Sequence, residues 1–316
     1  MPRLRPLIKP LLSALVVLCA GFFFYRAFQR NWADIKAHEF RIAPLYLLGS
    51  ALALLAASLL ATLAWYRAMN SLARGKIDFR QSVAAVNASS LTKYIPGKIW
   101  SYALQLYWLD GLGFSKALIV YVNLLNLLLS LGMSLLLGLS CLLFTHGGVP
   151  LRPVAYTLVG LLIADVCGVL FNRPLLNGLF ALANRLLKRN FSYFEVKKRL
   201  LLELHSIHLL AAVASGLAAY LFCFAIGYEV EMERALLVVG SSLVAEVVGF
   251  LAIIVPGGLG VREGLMYAML GGQASGSLAI VLPVASRMLN MLVDVLLGAV
   301  ALKLLRSLAA SKRAEA

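Results

Sequence analysis

The chain has little charge and still less acid. Only 14% of its 316 residues are charged, and 29 Lys and Arg stand against 14 Asp and Glu. With 61% hydrophobic residues and a mean hydropathy of +0.87, this composition excludes an ordinary soluble domain. The four cysteines, Cys19, Cys141, Cys167 and Cys223, lie in apolar runs without close-spaced pairs. They read as small core residues and exclude a disulfide or metal framework. No Asp-x-Asp, Asp-Asp or His-Glu-x-x-His occurs, which speaks against metal-dependent transferases and zinc proteases. No serine sits in a nucleophile elbow. Gly258-Leu259-Gly260 with Gly264 has the wrong spacing for a dinucleotide fingerprint. His205 and His208 lack enough neighbouring ligands for a metal and read as surface or interfacial side chains. No catalytic residue, metal or cofactor is expected.

What the chain has is long apolar runs, and they predict an all-α integral membrane protein. Six full spans are expected, at about 7–28, 43–65, 116–144, 153–171, 205–226 and 277–302. The first is too long for a signal-peptide core and lacks a small-x-small cleavage site, so it reads as a retained helix. Lys and Arg gather before the first span, at Arg67 to Arg80, along 172–199 and after the last span. The alternate loops hold only Arg30, Lys36, Arg41, Arg152 and Arg234. This bias places both termini in the cytoplasm. It also accounts for the net charge of +15 without nucleic acid. Segment 172–199 reads as a basic amphipathic helix on the cytoplasmic surface.

Two segments do not fit simple spans. Residues 81–113 are broken at Tyr94-Ile95-Pro96-Gly97-Lys98, and residues 235–271 are broken at Pro256-Gly257-Gly258. Each reads as a re-entrant helical hairpin. Tyr94 to Gly97 matches Ile254 to Gly257, and Tyr107 matches Tyr267, at a constant offset of 160 positions. The single polytopic domain, 1–316, therefore divides into repeats at about 7–150 and 151–305. Each repeat has three spans and one hairpin. An odd number of spans inverts the second copy, so the hairpins enter from opposite sides, an arrangement found in transporters.

Irregular backbone at membrane depth is tolerated where it is buried in protein or lines a wet cavity. A half-helix beginning at Gly97 or Gly257 presents free N–H groups suited to a phosphate. Lys93 and Lys98 flank the first break, unless they snorkel to the surface. Gly258, Gly260, Arg262 and Glu263 follow Pro256 and Gly257, and Arg262 and Glu263 can equally pair with each other. Charges in a span cost about 2.5 kcal/mol or more each and are functional by default. Arg287, Asn290 and Asp294 share one helix face, as do Asn123, Asn126 and Ser130. The two stripes suggest a shared polar cavity; interhelical hydrogen bonding is the alternative. Glu246 is a further counter-ion or proton carrier, and Asp165 a weaker one. The substrate-binding set is thus Lys93, Pro96, Gly97, Lys98, Glu246, Pro256, Gly257, Gly258, Gly260, Arg262, Glu263, Arg287, Asn290 and Asp294.

With Tyr94-Ile95-Pro96-Gly97-Lys98-Ile99-Trp100 and Pro256-Gly257-Gly258-Leu259-Gly260-Val261-Arg262-Glu263-Gly264 in view, the chain resembles a known family. It is similar, over nearly its whole length, to the flippase-type transmembrane domain of lysylphosphatidylglycerol synthases, including stand-alone relatives. The resemblance implies a lipid translocase of the bacterial inner membrane, acting on an anionic phospholipid or polyprenyl-phosphate lipid. The synthase domain has no counterpart before Ala316, so aminoacyl transfer, and enzyme activity generally, are not expected. A homo-oligomer and envelope-lipid biosynthetic enzymes are the further partners weighed. The alternatives are a secondary transporter of a small anion and a non-transporting partner of envelope-lipid enzymes.

Overall fold

The computed structural model describes residues 29, 32–37, 41–73, 77–91, 100–145, 151–170, 194–252, 258, 260–271 and 276–314. The first expected span, the whole of the first break and most of segment 172–199 lie outside the described residues. So do Lys93, Pro96, Gly97, Lys98, Pro256 and Gly257. Within them the fold is all-helical, with no strand. In chain order the helices are α1 (Trp32–Ala37), α2 (Pro44–Leu72), α3 (Phe79–Ser90), α4 (Trp100–Asp110), α5 (Lys116–Leu143), α6 (Leu151–Leu170), α7 (Lys198–Ala225), α8 (Met232–Leu251), α9 (Val261–Leu270) and α10 (Gly276–Ala314). Six of them, α2, α5, α6, α7, α8 and α10, are long and apolar enough to cross a membrane. The protein is a multi-pass membrane protein.

Starts and stops follow local chemistry. Asp78 and Gln81 close a capping box at the start of α3: the Gln81 N–H donates to Asp78 Oδ1 at 2.7 Å and the Asp78 N–H to Gln81 Oε1 at 3.2 Å. Ser115 caps α5. Three helices are longer than hydropathy suggests. α2 runs past Trp65 to Leu72, α7 begins at Lys198 rather than His205, and α10 extends beyond Leu302 to Ala314. Their charged ends stay helical because long side chains reach polar surroundings or partners. Arg67 Nη2, for example, donates to Glu203 Oε2 at 3.0 Å.

α2 and α7 form the central antiparallel pair. The Ala43 N–H donates to the Ala225 carbonyl at 3.0 Å at one end, Ser50 Oγ to the Ala218 carbonyl at 2.8 Å near it, and Arg67 meets Glu203 at the other end. Around this pair the contacts fall into matched sets: α3 packs on α10 and α8 on α5; α3 on α4 and α8 on α9; α4 on α5 and α9 on α10. Two apolar cores result. One joins the end of α2 with α3, α4, and the starts of α5 and α7. The other joins the end of α7 with α8, α9, the start of α10 and the end of α5.

The two broken segments differ in proportion. α3 and α4 have 12 and 11 residues, and Gln105 Nε2 donates to Ser89 Oγ across them at 2.8 Å. α8 and α9 have 20 and 10. At 1.5 Å per residue α8 is about 30 Å long and α9 about 15 Å. Leu270, at the end of α9, shares a cavity with Leu237 near the start of α8 and Leu278 near the start of α10. α9 therefore lies back along α8, with its end at the level where α10 begins.

Candidate functional site

The turn from α8 to α9 is set by close backbone approach. Gly258 has φ +68°, and a Cβ there would lie against the Gly249 carbonyl oxygen and 2.8 Å from its carbon. Only glycine suits both conditions. A Cβ on Gly249 would in turn stand 3.0 Å from Arg262 Cβ, so the start of α9 lies directly on α8. Gly260, with φ +81°, leads into α9.

Glu263 occupies the first turn of α9 and is only 4% exposed. Its Oε2 accepts the Gly260 N–H at 2.7 Å, and its Oε1 pairs with Arg287 Nη1 on α10. At the start of α9 the protein's own carboxylate thus sits at the positive end of the helix; the half-helix starts expected at Gly97 and Gly257 lie outside the described residues. The same contacts resolve the pairing. Arg262 and Glu263 do not pair with each other. Adjacent helical residues point about 100° apart, so each finds a different helix.

Arg262 is less well held. Its Nη1 lies 3.8 Å from Glu246 Oε1, beyond hydrogen-bond distance, and its buried Nε–H has no partner among the described residues. The Glu246 side chain is 48% exposed and accepts from Ser215 Oγ at 3.4 Å. Magnitudes separate the two pairs. At 3.8 Å Arg262 and Glu246 attract without a hydrogen bond, whereas breaking a buried, hydrogen-bonded pair such as Arg287–Glu263 costs about 3–5 kcal/mol. Arg262 can change partner cheaply; Arg287 cannot.

Around Arg262 and Glu246 lies a small polar cavity lined by Ser50, Ser215, Ser242, Ser286 and Asn290. About 10 Å³ of it can hold the centre of a water-sized sphere, room for about one water. In this conformation it is closed to a headgroup. Asn290 belongs to it, with its Nδ2 donating to the Ser286 carbonyl at 3.1 Å. Asp294 is half-buried on α10 and is not part of its lining. The serines carry no sequence signature, because a lone serine in an apolar helix forms no pattern; Ser286 and Asn290 sharing a face of α10 was the available signal.

The second polar stripe does not share this cavity. Asn123 Oδ1 accepts from Trp65 Nε1 at 3.2 Å, and Asn126 Oδ1 contacts His208 Nε2 at 3.1 Å. These are hydrogen bonds between helices. The histidines also depart from expectation. His208 is 3% exposed, and His205 Nε2 contacts Asp165 Oδ1 of α6 at 2.8 Å. With α7 beginning at Lys198, both lie inside the bundle rather than at its edge.

The family model for the lysylphosphatidylglycerol synthase TM region matches residues 7–298. No curated protein matches the chain.

Proposed function

The chain belongs to the lysylphosphatidylglycerol synthase transmembrane family, and from that premise we propose that it is a lipid translocase, with no chemical step of its own. The observation that carries the reading is Arg262: a half-buried guanidinium whose buried Nε–H is an orphan, loosely paired, facing a polar cavity between helices. Such a group is ready to take an anionic oxygen in place of Glu246. A phosphate headgroup would enter when α8, α9 and α10 move together away from α7, while its tails stay in lipid. Arg287, held by Glu263, would fix α9 on α10 throughout.

The proposed frame for that motion is an inverted repeat of two re-entrant hairpins. Exchange of α2 with α7, α3 with α8, α4 with α9 and α5 with α10 carries each matched helix contact onto its counterpart, and one apolar core onto the other. Small details follow the exchange. Gly138 of α5 meets α8 at Leu243 and Val244; Gly298 of α10, 160 positions on, meets Leu91 just past the end of α3. Asn87 donates to Thr62 between α3 and α2 at 3.1 Å, and Ser215 to Glu246 between α7 and α8. Rocking one repeat against the other would open the site alternately.

The membrane we propose is the bacterial inner membrane, with both termini cytoplasmic. Anionic phospholipid or polyprenyl-phosphate lipid is the proposed partner, with self-association and envelope-lipid enzymes as further ones. The test is movement of a fluorescent phosphatidylglycerol by the full chain reconstituted in vesicles. Arg262→Ala is expected to slow it by about tenfold or more, the equivalent of about 1.4 kcal/mol. No movement by the unaltered protein, or undiminished movement by Arg262→Ala, rejects the reading.

A further inference from the structure

A further cavity, larger than the one at Arg262, lies where α7 ends and α8 and α10 begin. It holds about 160 Å³, and its floor is Val230, Leu237, Val238, Leu270 and Leu278, all buried. An apolar hollow of about 150 Å³ stays dry and takes a six-carbon ring, so this floor suits hydrocarbon better than water. The rest of the lining is Tyr228, Glu229 and Arg234. Glu229 and Arg234 are exposed, and neither joins an ion pair among the described residues. The rim is set by the end of α7. Gly227, with φ +84°, turns the chain, and the Tyr228 N–H donates to the Cys223 carbonyl at 3.0 Å. Tyr228 and Val230 then turn inward, and Glu229 between them turns out. Aromatic rings mark the depth. Tyr46 of α2 stacks on Phe224 at 5.2 Å, and Tyr220 meets Phe224 edge-on at 5.1 Å, near the end of α7. Such belts sit at the level of lipid headgroups. Leu236, two residues from Arg234, is exposed and faces lipid. The rim therefore borders both headgroups and hydrocarbon. The cavity is separate from the one at Arg262: on α10, Leu278 and Ser286 are eight residues or about 12 Å apart, with the fully buried Leu282 between them.

We propose that this cavity binds a zwitterionic phospholipid of the ethanolamine class. Arg234 takes the phosphate, and Glu229 takes the ammonium as a hydrogen-bond donor. About six carbons of one acyl chain fill the apolar floor, and the rest of the lipid stays in the bilayer. One cation and one anion on the same rim select this class by charge. An anionic lipid would satisfy Arg234 but set a negative charge against Glu229. A choline lipid has the right charges but no N–H to donate to the carboxylate. The bound lipid touches the start of α8, the end of α9 and the start of α10, so its binding holds the three together. The site does not rest on the transport reading.

The experiment is native mass spectrometry of the full chain released from detergent micelles, titrated with dioleoyl phosphatidylethanolamine or dioleoyl phosphatidylglycerol. The ethanolamine lipid is expected to bind more tightly. Arg234→Gln and Glu229→Gln, both at exposed positions, are each expected to weaken it by about two- to fivefold. Glu229→Gln should leave phosphatidylglycerol unchanged or bound more tightly. Val238→Phe puts a ring into the cavity and is expected to weaken the ethanolamine lipid by about tenfold or more. If Val238→Phe does not fold, glycerophosphoethanolamine, the headgroup without chains, replaces it as the probe. That probe is expected to bind at least about tenfold more weakly than the lipid. Equal binding without chains would show a polar surface site and overturn the role of the cavity. Ethanolamine lipid bound no more tightly than phosphatidylglycerol overturns the proposal. So does an affinity unchanged in Val238→Phe or in both charge variants.

Discussion

The Arg287–Glu263 pair is read as the fixed joint of the site, and a double-mutant cycle measures it. Glu263 is 4% exposed and has two partners: the Gly260 N–H at 2.7 Å and Arg287. Arg287→Met leaves a buried carboxylate with one hydrogen bond, at a cost of about 3–5 kcal/mol. Glu263→Gln keeps an oxygen for Gly260 but loses the charged bond, at about 1.5–3 kcal/mol. Combining the two removes both charges and leaves no buried ion. The double variant should therefore cost no more than the worse single, with a coupling energy of about 2 kcal/mol or more. The assay is reversible unfolding in mixed micelles of dodecyl maltoside and dodecyl sulfate, read from midpoint and slope. Arg287→Met within about 0.5 kcal/mol of the unaltered protein, or additive singles, would refute the joint.

Gly258→Ala combines positive φ with a backbone clash at Gly249. It is expected to cost about 2–4 kcal/mol in the same unfolding assay. Gly240→Ala puts a Cβ 2.8 Å from the Gly138 carbonyl oxygen and from Leu142 Cγ, and should cost about 1–3 kcal/mol. Gly132→Ala, with nothing within 4 Å of its Cβ, is the control and should be neutral or stabilising by about 0.5–1 kcal/mol. Asp78→Ala removes one half of the α3 capping box and should cost about 0.5–2 kcal/mol, with faster amide exchange at Gln81 as the local readout.

The spans were legible because lipid imposes one requirement, about 20 apolar residues in a row, and α2, α5, α6, α7 and α10 meet it. Their ends were not, because hydropathy falls at the first charge whereas the helix ends only where capping or packing stops it. Thus Arg67 and Glu203 lie on helices and pair across them. The break before α9 was legible from Pro256-Gly257-Gly258, and the charged residues beside it from their rarity in apolar surroundings. Their partners were not. Glu246 and Arg262, or Glu263 and Arg287, are brought together only when α8, α9 and α10 pack, and no spacing in the chain encodes that crossing. His208 was misread for the same reason: two histidines near a charged loop look interfacial until α7 is seen to start at Lys198.

Under the proposed repeat, the four charged residues beside the second break have uncharged counterparts in the first half. At the offset of 160 positions, Glu246, Arg262, Glu263 and Arg287 correspond to Val86, Tyr102, Ala103 and Leu127. Among the described residues, α3 is held to α2 and α4 by neutral hydrogen bonds, Asn87 to Thr62 and Gln105 to Ser89. Such bonds contribute about 0.5–1.5 kcal/mol each and offer an entering anion no net charge. The second half uses ion pairs in the equivalent hairpin, one buried and one open. Under the proposed repeat, then, the two halves share a frame and differ in how they pair their charges. The second carries a cation whose open pairing, at 3.8 Å, is weak enough to exchange for a phosphate. Lys93 and Lys98 flank the first break and Arg262 follows the second. An anion crossing between the two breaks would therefore meet a cation at each end of its path, and the pairing of Arg262 with Glu246 would set how readily it leaves the second.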